Sequence, residues 1–90
     1  MFIWLPEIEA KNLDKHHVQR HEIEEVFRNR RREFIWESGD RPGEDFYLTL
    51  GRTDDGRYLA VFFIKKLGGE IMPISARDMD DKERKRYGKK

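Results

Sequence analysis

Hydrophobic and polar positions follow two different periods along this chain, and the change of period separates predicted helices from predicted strands. Between about Arg20 and Arg28, Ile23, Val26 and Phe27 recur at the i, i+3, i+4 spacing that places them on one face of a helix. Charged residues fill most of the remaining positions. The segment therefore predicts an amphipathic helix whose apolar face packs on a core.

The residues before it predict a first helix. The apolar segment Phe2–Leu5 indicates a short edge strand or an anchored arm, and Pro6 both ends that segment and suits the first turn of a helix. We expect this helix to run from about Glu7 to about His16, with Ala10 and Leu13 as its apolar contacts.

Four later segments are rich in β-branched and aromatic residues and are separated by turn residues, as strands are. They span 31–36, 45–52, 58–64 and 71–76, and the polar segment 38–43 predicts a mobile loop. Apolar residues alternate in the second segment, which indicates a strand buried on one face, and run continuously in the third, which indicates a central strand covered on both. Pro73 cannot donate to a sheet ladder, so the fourth strand should lie at an edge or carry a bulge.

The last predicted element is a short helix after the fourth strand. Asp80 and Glu83 have the spacing of a capping box, which places this helix at about 81–87. The pattern as a whole predicts an α+β fold: two N-terminal helices pack on a four-stranded, mostly antiparallel sheet, and a C-terminal helix lies near the end of the last strand.

The junction between the last strand and the last helix is a candidate functional position, because rigid elements there hold a side chain that the connecting loop leaves accessible. We expect Ile74 to belong to the core, Ser75 and Ala76 to be small so that a substrate backbone can approach, and Arg77 to bind phosphate.

Length and composition bound the class of protein. The chain has 90 residues, which fit one compact domain over 1–90, and six Phe, three Tyr and two Trp supply a core although 41% of the residues are charged. It contains no cysteine, which suits a reducing cytosol. The first five residues do not form a signal peptide, and the longest apolar run, Tyr58–Ile64, is too short for a membrane span. We expect a soluble, cytoplasmic protein with no membrane partner.

A net charge of +1 conceals two basic clusters. The first consists of Arg28, Arg30, Arg31 and Arg32, and the second of Lys82, Arg84, Lys85, Arg86, Lys89 and Lys90. Such clusters suit a polyanion such as nucleic acid, or an acidic protein partner. They also suit a solvated face that keeps a small domain soluble. We single out Arg30, Arg31 and Arg32, together with Tyr87, as candidate RNA-binding residues.

The histidines do not predict a metal centre. His17 and His21 are four residues apart, as paired ligands on one helix face are, but the predicted break at His17-Val18 spoils that register and no carboxylate completes a site. The chain also lacks a nucleophile-elbow motif, a phosphate-binding loop and a dinucleotide motif. We expect neither a metal nor a cofactor.

What remains is a set of cationic and proton-transferring side chains: Lys15, His16, Arg52, Arg77 and Tyr87. Metal-free RNA cleavage needs such a set, because a base must take the proton of the 2′-hydroxyl while Arg or Lys offsets charge on the phosphate oxygens. The same residues also fit structural roles. The two arginines could pair with carboxylates at strand ends, His16 could face a helix C-terminus, and Tyr87 could pack on the sheet.

The order and spacing of several motifs resemble the BrnT family of bacterial toxins over about residues 3–87. The motifs are Asn12–Val18, Glu24–Phe27, Leu50–Thr53, Gly56–Leu59 and Ile74–Met79, followed by Glu83 and Tyr87. The most specific part is Ser75-Ala76-Arg77 with the last two of these residues.

The resemblance implies a RelE-like fold, a metal-independent ribonuclease of a type II toxin–antitoxin system, and a BrnA-type antitoxin that blocks the toxin and represses their operon. Association with DNA would then be indirect, through the antitoxin. By position, Lys15 and His16 match the family's Lys-His pair, Arg52 its Gly-Arg, and Arg77 its Ser-Ala-Arg. These four are the candidate catalytic residues: the arginines would bind phosphate and stabilise the transition state, and Lys15 or His16 would move protons.

Two departures from the family pattern bear on activity. His17 stands where Gly is common, at a helix end that favours a left-handed backbone, and Met72-Pro73 stands where an arginine-bearing strand is common. An alternative is therefore a non-catalytic, toxin-like module that mainly holds its antitoxin. Direct DNA binding through the last helix is less favoured, because Asp81 and Glu83 interrupt its basic residues.

Overall fold

In the part of the chain that the structure describes, seven elements follow one another in the order that the sequence predicts. A computed structural model describes residues 1–39 and 45–89. The helices are α1 (Pro6–His16), α2 (Arg20–Arg28) and α3 (Asp81–Gly88), and the strands are β1 (Arg31–Glu37), β2 (Phe46–Arg52), β3 (Tyr58–Lys65) and β4 (Ile71–Asp78). The predicted α+β fold is confirmed, whereas most of the predicted loop 38–43 lies outside the described residues. No helix in the described part of the chain is long and apolar enough to cross a membrane.

The four strands form one antiparallel sheet in the order β1-β2-β3-β4. Strand β3 is therefore central, as its continuous apolar sequence predicts, and β4 lies at an edge. Pro73 sits on that edge strand opposite Phe63, where the ladder shifts register by a bulge, so both expectations for this proline are confirmed. The N-terminal arm joins the start of β4 through a parallel bridge between Phe2 and Ile71.

Helices cover the sheet on both faces. The face under α1 and α2 carries one buried cluster, composed of Val18, Ile23, Val26, Leu59, Val61 and Ala76. The face under α3 carries a second, composed of Leu48, Leu50, Ala60, Met79 and Tyr87. Neighbouring residues of a strand point to opposite faces, so β3 contributes Leu59 and Val61 to one cluster and Ala60 to the other.

Strand β2 is buried on both faces, and the prediction that only one face is buried was wrong. Thr49 is fully buried, and its hydroxyl donates to the carbonyl of Arg32 over 3.3 Å. Gly51 faces α2, where an added Cβ would lie 2.8 Å from Cγ1 of Val26. A satisfied hydroxyl and a missing side chain thus let a helix pack on positions that hydropathy alone assigns to solvent.

Helix α1 does not use the apolar contacts expected of it. Ala10 is exposed and Leu13 is 50% exposed, whereas Asn12 is buried. The Oδ1 atom of Asn12 accepts a hydrogen bond from the backbone amide of Ala76, 3.2 Å away. The reason is that α1 packs along edge strand β4, whose outward amides need an acceptor. The small size of Ala76 therefore accommodates α1 and not a substrate backbone, and Ile74, expected in the core, is only half-buried.

The helix ends follow the predicted capping chemistry. Asp80 accepts from the amide of Glu83 over 2.8 Å, and the Glu83 carboxylate accepts from the amide of Asp80 over 2.9 Å, so the capping box of α3 is confirmed. Helix α1 ends at His17, which adopts a left-handed backbone with φ 55° and donates its amide to the carbonyl of Leu13 over 3.0 Å. A side chain bearing a Cβ stands there at an energetic cost.

Arg57, which directly precedes β3, connects the start of that strand to α1, α2 and β4. Its guanidinium donates to the carbonyls of His16 and His17 over 2.8 and 2.7 Å, at the end of α1. It also donates to Asp78 at the end of β4 over 2.8 Å, and to both carboxylate oxygens of Glu22 in α2 over 3.2 Å. The hydrogen bond to Asp78, followed by that to Glu22, raises the pKa of Arg57. This one side chain fixes the ends of α1, α2 and β4 relative to β3.

Replacing Arg57 by Met should lower the free energy of unfolding by about 2–4 kcal/mol, because two carbonyls and a partly buried carboxylate lose their donor. Urea denaturation measures the change. Arg28→Met is the matched control: its 3.4 Å contact with Asp54 is largely exposed, so its loss should cost less than about 1 kcal/mol. Equal losses in the two variants would contradict the role of Arg57.

Replacing His17 by Gly should raise the free energy of unfolding by about 0.5–1 kcal/mol, because Gly adopts the left-handed backbone without steric cost. Lys11→Gly, in the exposed middle of α1, should lower it by about 1 kcal/mol. Thermal denaturation of both variants checks the prediction, and a destabilised His17→Gly variant would refute it.

Candidate nucleic-acid interface

A shallow cleft lies at the end of the sheet where β2 stops and β3 begins. The segments that line it are the connection from α2 to β1, the turn from β2 to β3, and the last turn of α3. Its residues are Asn29, Arg30, Arg52, Thr53, Asp54, Gly56 and Tyr87. Three of the predicted site residues, Arg30, Arg52 and Tyr87, therefore meet in one open depression.

Sheet pairing positions Arg52 beside Tyr58. The two residues are directly paired between β2 and β3, and both project toward the α3 face. The guanidinium carbon of Arg52 lies 4.8 Å from the centroid of the Tyr58 ring, a distance at which the ring attracts the cation. Gly56, with φ 89°, leaves room for this arrangement, because an added Cβ would lie 2.9 Å from Nη2 of Arg52.

Tyr87 supports the cleft from below. It is only 6% exposed, its hydroxyl donates to the carbonyl of Arg30 over 3.1 Å, and its ring meets that of Tyr58 edge to face at 5.9 Å. The guanidinium carbon of Arg30 lies 5.2 Å from the centroid of the Tyr87 ring. Burial and a used hydroxyl leave Tyr87 little surface for RNA, so its position suits holding Arg30 and Tyr58 in place.

Arg84 also belongs to this cluster, and sequence reasoning singled it out only as one charge among several on the last helix. Its guanidinium carbon lies 4.2 Å from the centroid of the Tyr58 ring. A usable signal was present: Arg84 precedes Tyr87 by three residues, so the two share a side of α3. We call Arg30, Arg52 and Arg84 with Tyr58 and Tyr87 the arginine–tyrosine cluster.

The cluster carries positive charge that nearby carboxylates do not neutralise. Within residues 1–39 and 45–89, no carboxylate oxygen lies within 4.0 Å of a side-chain nitrogen of Arg30, Arg52 or Arg84. The acidic residue that lines the cleft, Asp54, accepts from Asn29 over 3.0 Å and from Arg28 over 3.4 Å. The electrostatic character of the cleft therefore favours an anion.

Arg77 is placed differently, in an ion pair with Glu83. Its two terminal nitrogens donate to the two carboxylate oxygens over 2.7 and 2.9 Å, and one of them also donates to the carbonyl of Asp78 over 3.1 Å. The bond to Glu83 raises the pKa of Arg77. Its Nε has no hydrogen-bond partner in the described part of the chain, so one edge of the guanidinium keeps a donor for a further acceptor.

The structure does not bring the guanidinium of Arg77 to that of Arg52. Arg77 lies over Phe62, 5.6 Å from the ring centroid, whereas Arg52 lies over Tyr58. These rings are four positions apart along β3, which corresponds to about 13 Å of strand.

Strand alternation separates the predicted basic run Arg30–Arg32. Arg31 points to the α2 face, where it pairs with Glu33 over 2.5 Å. Arg32 points to the α3 face and donates to the carbonyls of Arg86 and Lys89 over 2.5 and 3.0 Å, at the C-terminus of α3. Of the three arginines, Arg30 lines the cleft. The other two occupy structural contacts at either side of the sheet.

Lys15 and His16 lie in the last turn of α1, at the same end of the sheet as the cleft but on its other face. His16 is half-buried, and its carbonyl accepts from Arg57 over 2.8 Å. Lys15 is exposed. Arg57 contacts the end of α1, and the next residue, Tyr58, points to the opposite face and belongs to the arginine–tyrosine cluster. The α1 terminus and the cluster therefore lie on opposite faces of the same sheet end. Within the residues described, no three His, Asp or Glu side chains are grouped so as to hold a metal ion.

Comparison with known proteins identifies a family. The family described as the ribonuclease toxin BrnT of type II toxin–antitoxin systems has a model that matches residues 4–83. The match covers Arg30, Arg52 and Arg77 and ends one residue before Arg84. No curated protein gives a significant match to the chain.

Replacing Arg77 by Ala should lower the free energy of unfolding by about 1–3 kcal/mol, because it leaves the buried Glu83 carboxylate without its cation. Combining it with Glu83→Gln, which keeps the acceptor for the amide of Asp80, should recover part of that loss. A double-mutant cycle measured by urea denaturation gives the coupling, and strict additivity would show that the pair contributes nothing.

Proposed function

Because the chain belongs to the BrnT family of ribonuclease toxins of type II toxin–antitoxin systems, we propose that it is a metal-independent endoribonuclease that cleaves RNA and thereby inhibits translation. The observation that carries this proposal is Arg52 in an open cleft, beside Arg30 and without a carboxylate partner among the described residues. A cation without a carboxylate partner at an accessible sheet end is available to hold a phosphate.

The proposed reaction uses the 2′-hydroxyl of the RNA as nucleophile. The 2′-oxygen loses its proton to a base and forms a bond to phosphorus, the bond from phosphorus to the 5′-oxygen breaks, and that oxygen takes up a proton. Negative charge builds on the non-bridging oxygens, where guanidinium groups stabilise it. We assign this role to Arg52. Arg77, which lies over a ring about 13 Å further along β3, is assigned through its Nε edge to another phosphate of the same RNA strand.

Lys15 or His16 is the proposed proton-transfer group. Both lie in the last turn of α1, which Arg57 ties to the same sheet end that bears Arg52. They lie on the other face of the sheet, so this role requires RNA to pass around the sheet end and contact both faces. The assignment rests on side-chain chemistry and on their match to the family's Lys-His pair.

The family implies a second partner besides RNA, an antitoxin protein. We propose that this antitoxin is BrnA-type, that it blocks the toxin, and that the complex associates with operator DNA through the antitoxin to repress the operon. We propose a cytoplasmic location for the complex.

The alternative is a toxin-like module whose main role is to bind the antitoxin. Two observations favour it: Arg77 is already paired with Glu83, and Ile35 and Trp36 on edge strand β1 are 64% and 58% exposed. Expressing the chain without a partner separates the two proposals. Growth arrest with RNA decay supports the nuclease. Healthy growth, together with tight co-purification when the antitoxin is co-expressed, supports the module.

Purified protein free of antitoxin should cleave single-stranded RNA in the presence of EDTA, and a substrate with 2′-deoxyribose at the cleaved position should resist. Arg52→Gln should lower kcat/KM by about 10²–10³-fold, as loss of one charge-stabilising donor does. Lys66→Gln, which removes the same charge at the opposite end of the sheet, should leave the rate within about twofold. Gel analysis of labelled RNA gives these rates. The proposal fails if EDTA abolishes cleavage, or if the substrate with 2′-deoxyribose at the cleaved position is cut as fast as RNA.

A further inference from the structure

Two arginines converge on the ring of Tyr58, as Arg32 and Arg86 do on the ring of Phe34. The guanidinium carbons of Arg52 and Arg84 lie 4.8 and 4.2 Å from the centroid of Tyr58. Their separation therefore cannot exceed these two distances together. One guanidinium suffices for a favourable contact with the ring, and a second brings repulsion between like charges.

Hydrogen bonds do not account for the arrangement. The guanidinium groups of Arg30, Arg52 and Arg84 each carry five N–H donors, and none of these donates to an acceptor in residues 1–39 or 45–89. Arg32 offers a contrast, since it also lies near an aromatic ring, that of Phe34, but its donors reach carbonyls at the end of α3. The cluster thus presents unused donors and uncompensated charge together.

The position of Arg84 is fixed by the fold. Its own amide donates to the carbonyl of Asp80 over 2.9 Å in the first turn of α3, next to the capping box. Met79 and Tyr87 are buried on either side of it along the chain and hold α3 to the sheet. The backbone that carries Arg84 is therefore rigid, while its side chain is exposed. A held backbone and an exposed guanidinium, unpaired among the described residues, leave Arg84 accessible to a ligand at a defined position on the surface.

We propose that Arg84 is a substrate-binding residue, and that it forms with Arg52 and Arg30 a binding site for the phosphates of single-stranded RNA. The proposal rests on the ribonuclease function proposed above and adds to it a residue beyond the span that matches the family. An open, basic groove backed by aromatic rings suits a flexible single strand, which can bend around the end of the sheet. Tyr58 sets the spacing of two of the cations, and Tyr87 supports the third.

The test measures binding of a fluorescent, uncleavable 2′-O-methyl single-stranded RNA over a range of NaCl concentrations. Arg84→Gln should weaken binding about tenfold at low salt and reduce the slope of log K against log[NaCl] by about 0.7. Arg84→Lys should restore the slope, because it keeps the charge. The melting temperature of the Arg84→Gln variant should not fall below that of the unsubstituted protein, because this substitution removes a repulsive charge.

Lys85→Gln is the matched control, because it removes the same charge from the neighbouring position of α3, which faces a different direction. An equal loss of affinity in Lys85→Gln would overturn the proposal in favour of diffuse attraction. Cleavage by the same proteins separates the two levels of inference. If the unsubstituted protein neither binds nor cleaves RNA, both proposals fail. If it does both and Arg84→Gln behaves identically, the nuclease stands and the site at Arg84 is refuted.

Discussion

The guanidinium of Arg57 is the contact on which the arrangement of this fold depends. Helix α1 has a weak apolar face, and an exposed Leu13 shows that hydrophobic burial does not fix its position alone. Arg57 supplies what burial does not, because one planar group satisfies the carbonyls of His16 and His17 and two carboxylates from other elements. Because the guanidinium is planar and donates several charge-assisted hydrogen bonds, it fixes the directions in which its partners lie. Several elements are consequently held together at this end of the sheet, and the candidate site lies there.

The two faces of that sheet end have different electrostatic characters. On the α1–α2 face, the charge of Arg57 is matched by Glu22 and Asp78. On the α3 face, the charges of the arginine–tyrosine cluster rest on aromatic rings and face solvent. Arg57 and Tyr58 are adjacent and point to opposite faces of the sheet. Arg57 holds neighbouring elements together, and the ring of Tyr58 contacts two arginines of the cluster. The arginine with carboxylate partners and the arginines without them among the described residues thus lie on opposite faces of the same sheet end.

The sequence predicted the elements well because their local chemistry is explicit. Pro6, the Asp80–Glu83 capping box and the edge proline Pro73 each act within a few residues, and all three appear as expected. The errors concern contacts that depend on what another element brings. Nothing in the spacing of α1 shows that Asn12 serves the amide of Ala76, and hydropathy cannot show that Thr49 is buried with its hydroxyl satisfied. The candidate site divides in the same way. Arg30, Arg52 and Arg77 could be identified from the sequence as candidate site residues. The pairing of Arg77 with Glu83 and the contact of Arg84 with Tyr58 could not, because they arise from tertiary packing.

The ion pair between Arg77 and Glu83 has a steric consequence for any anion that reaches this arginine. Glu83 is held by the amide of Asp80 as well as by Arg77, so the carboxylate cannot rotate away without uncapping α3. The plane of the guanidinium is thereby fixed, with its terminal nitrogens turned toward the helix. A ligand can approach only along the Nε edge, in the plane of the group and from the side away from α3. The pair therefore limits the directions from which an acceptor can reach Arg77.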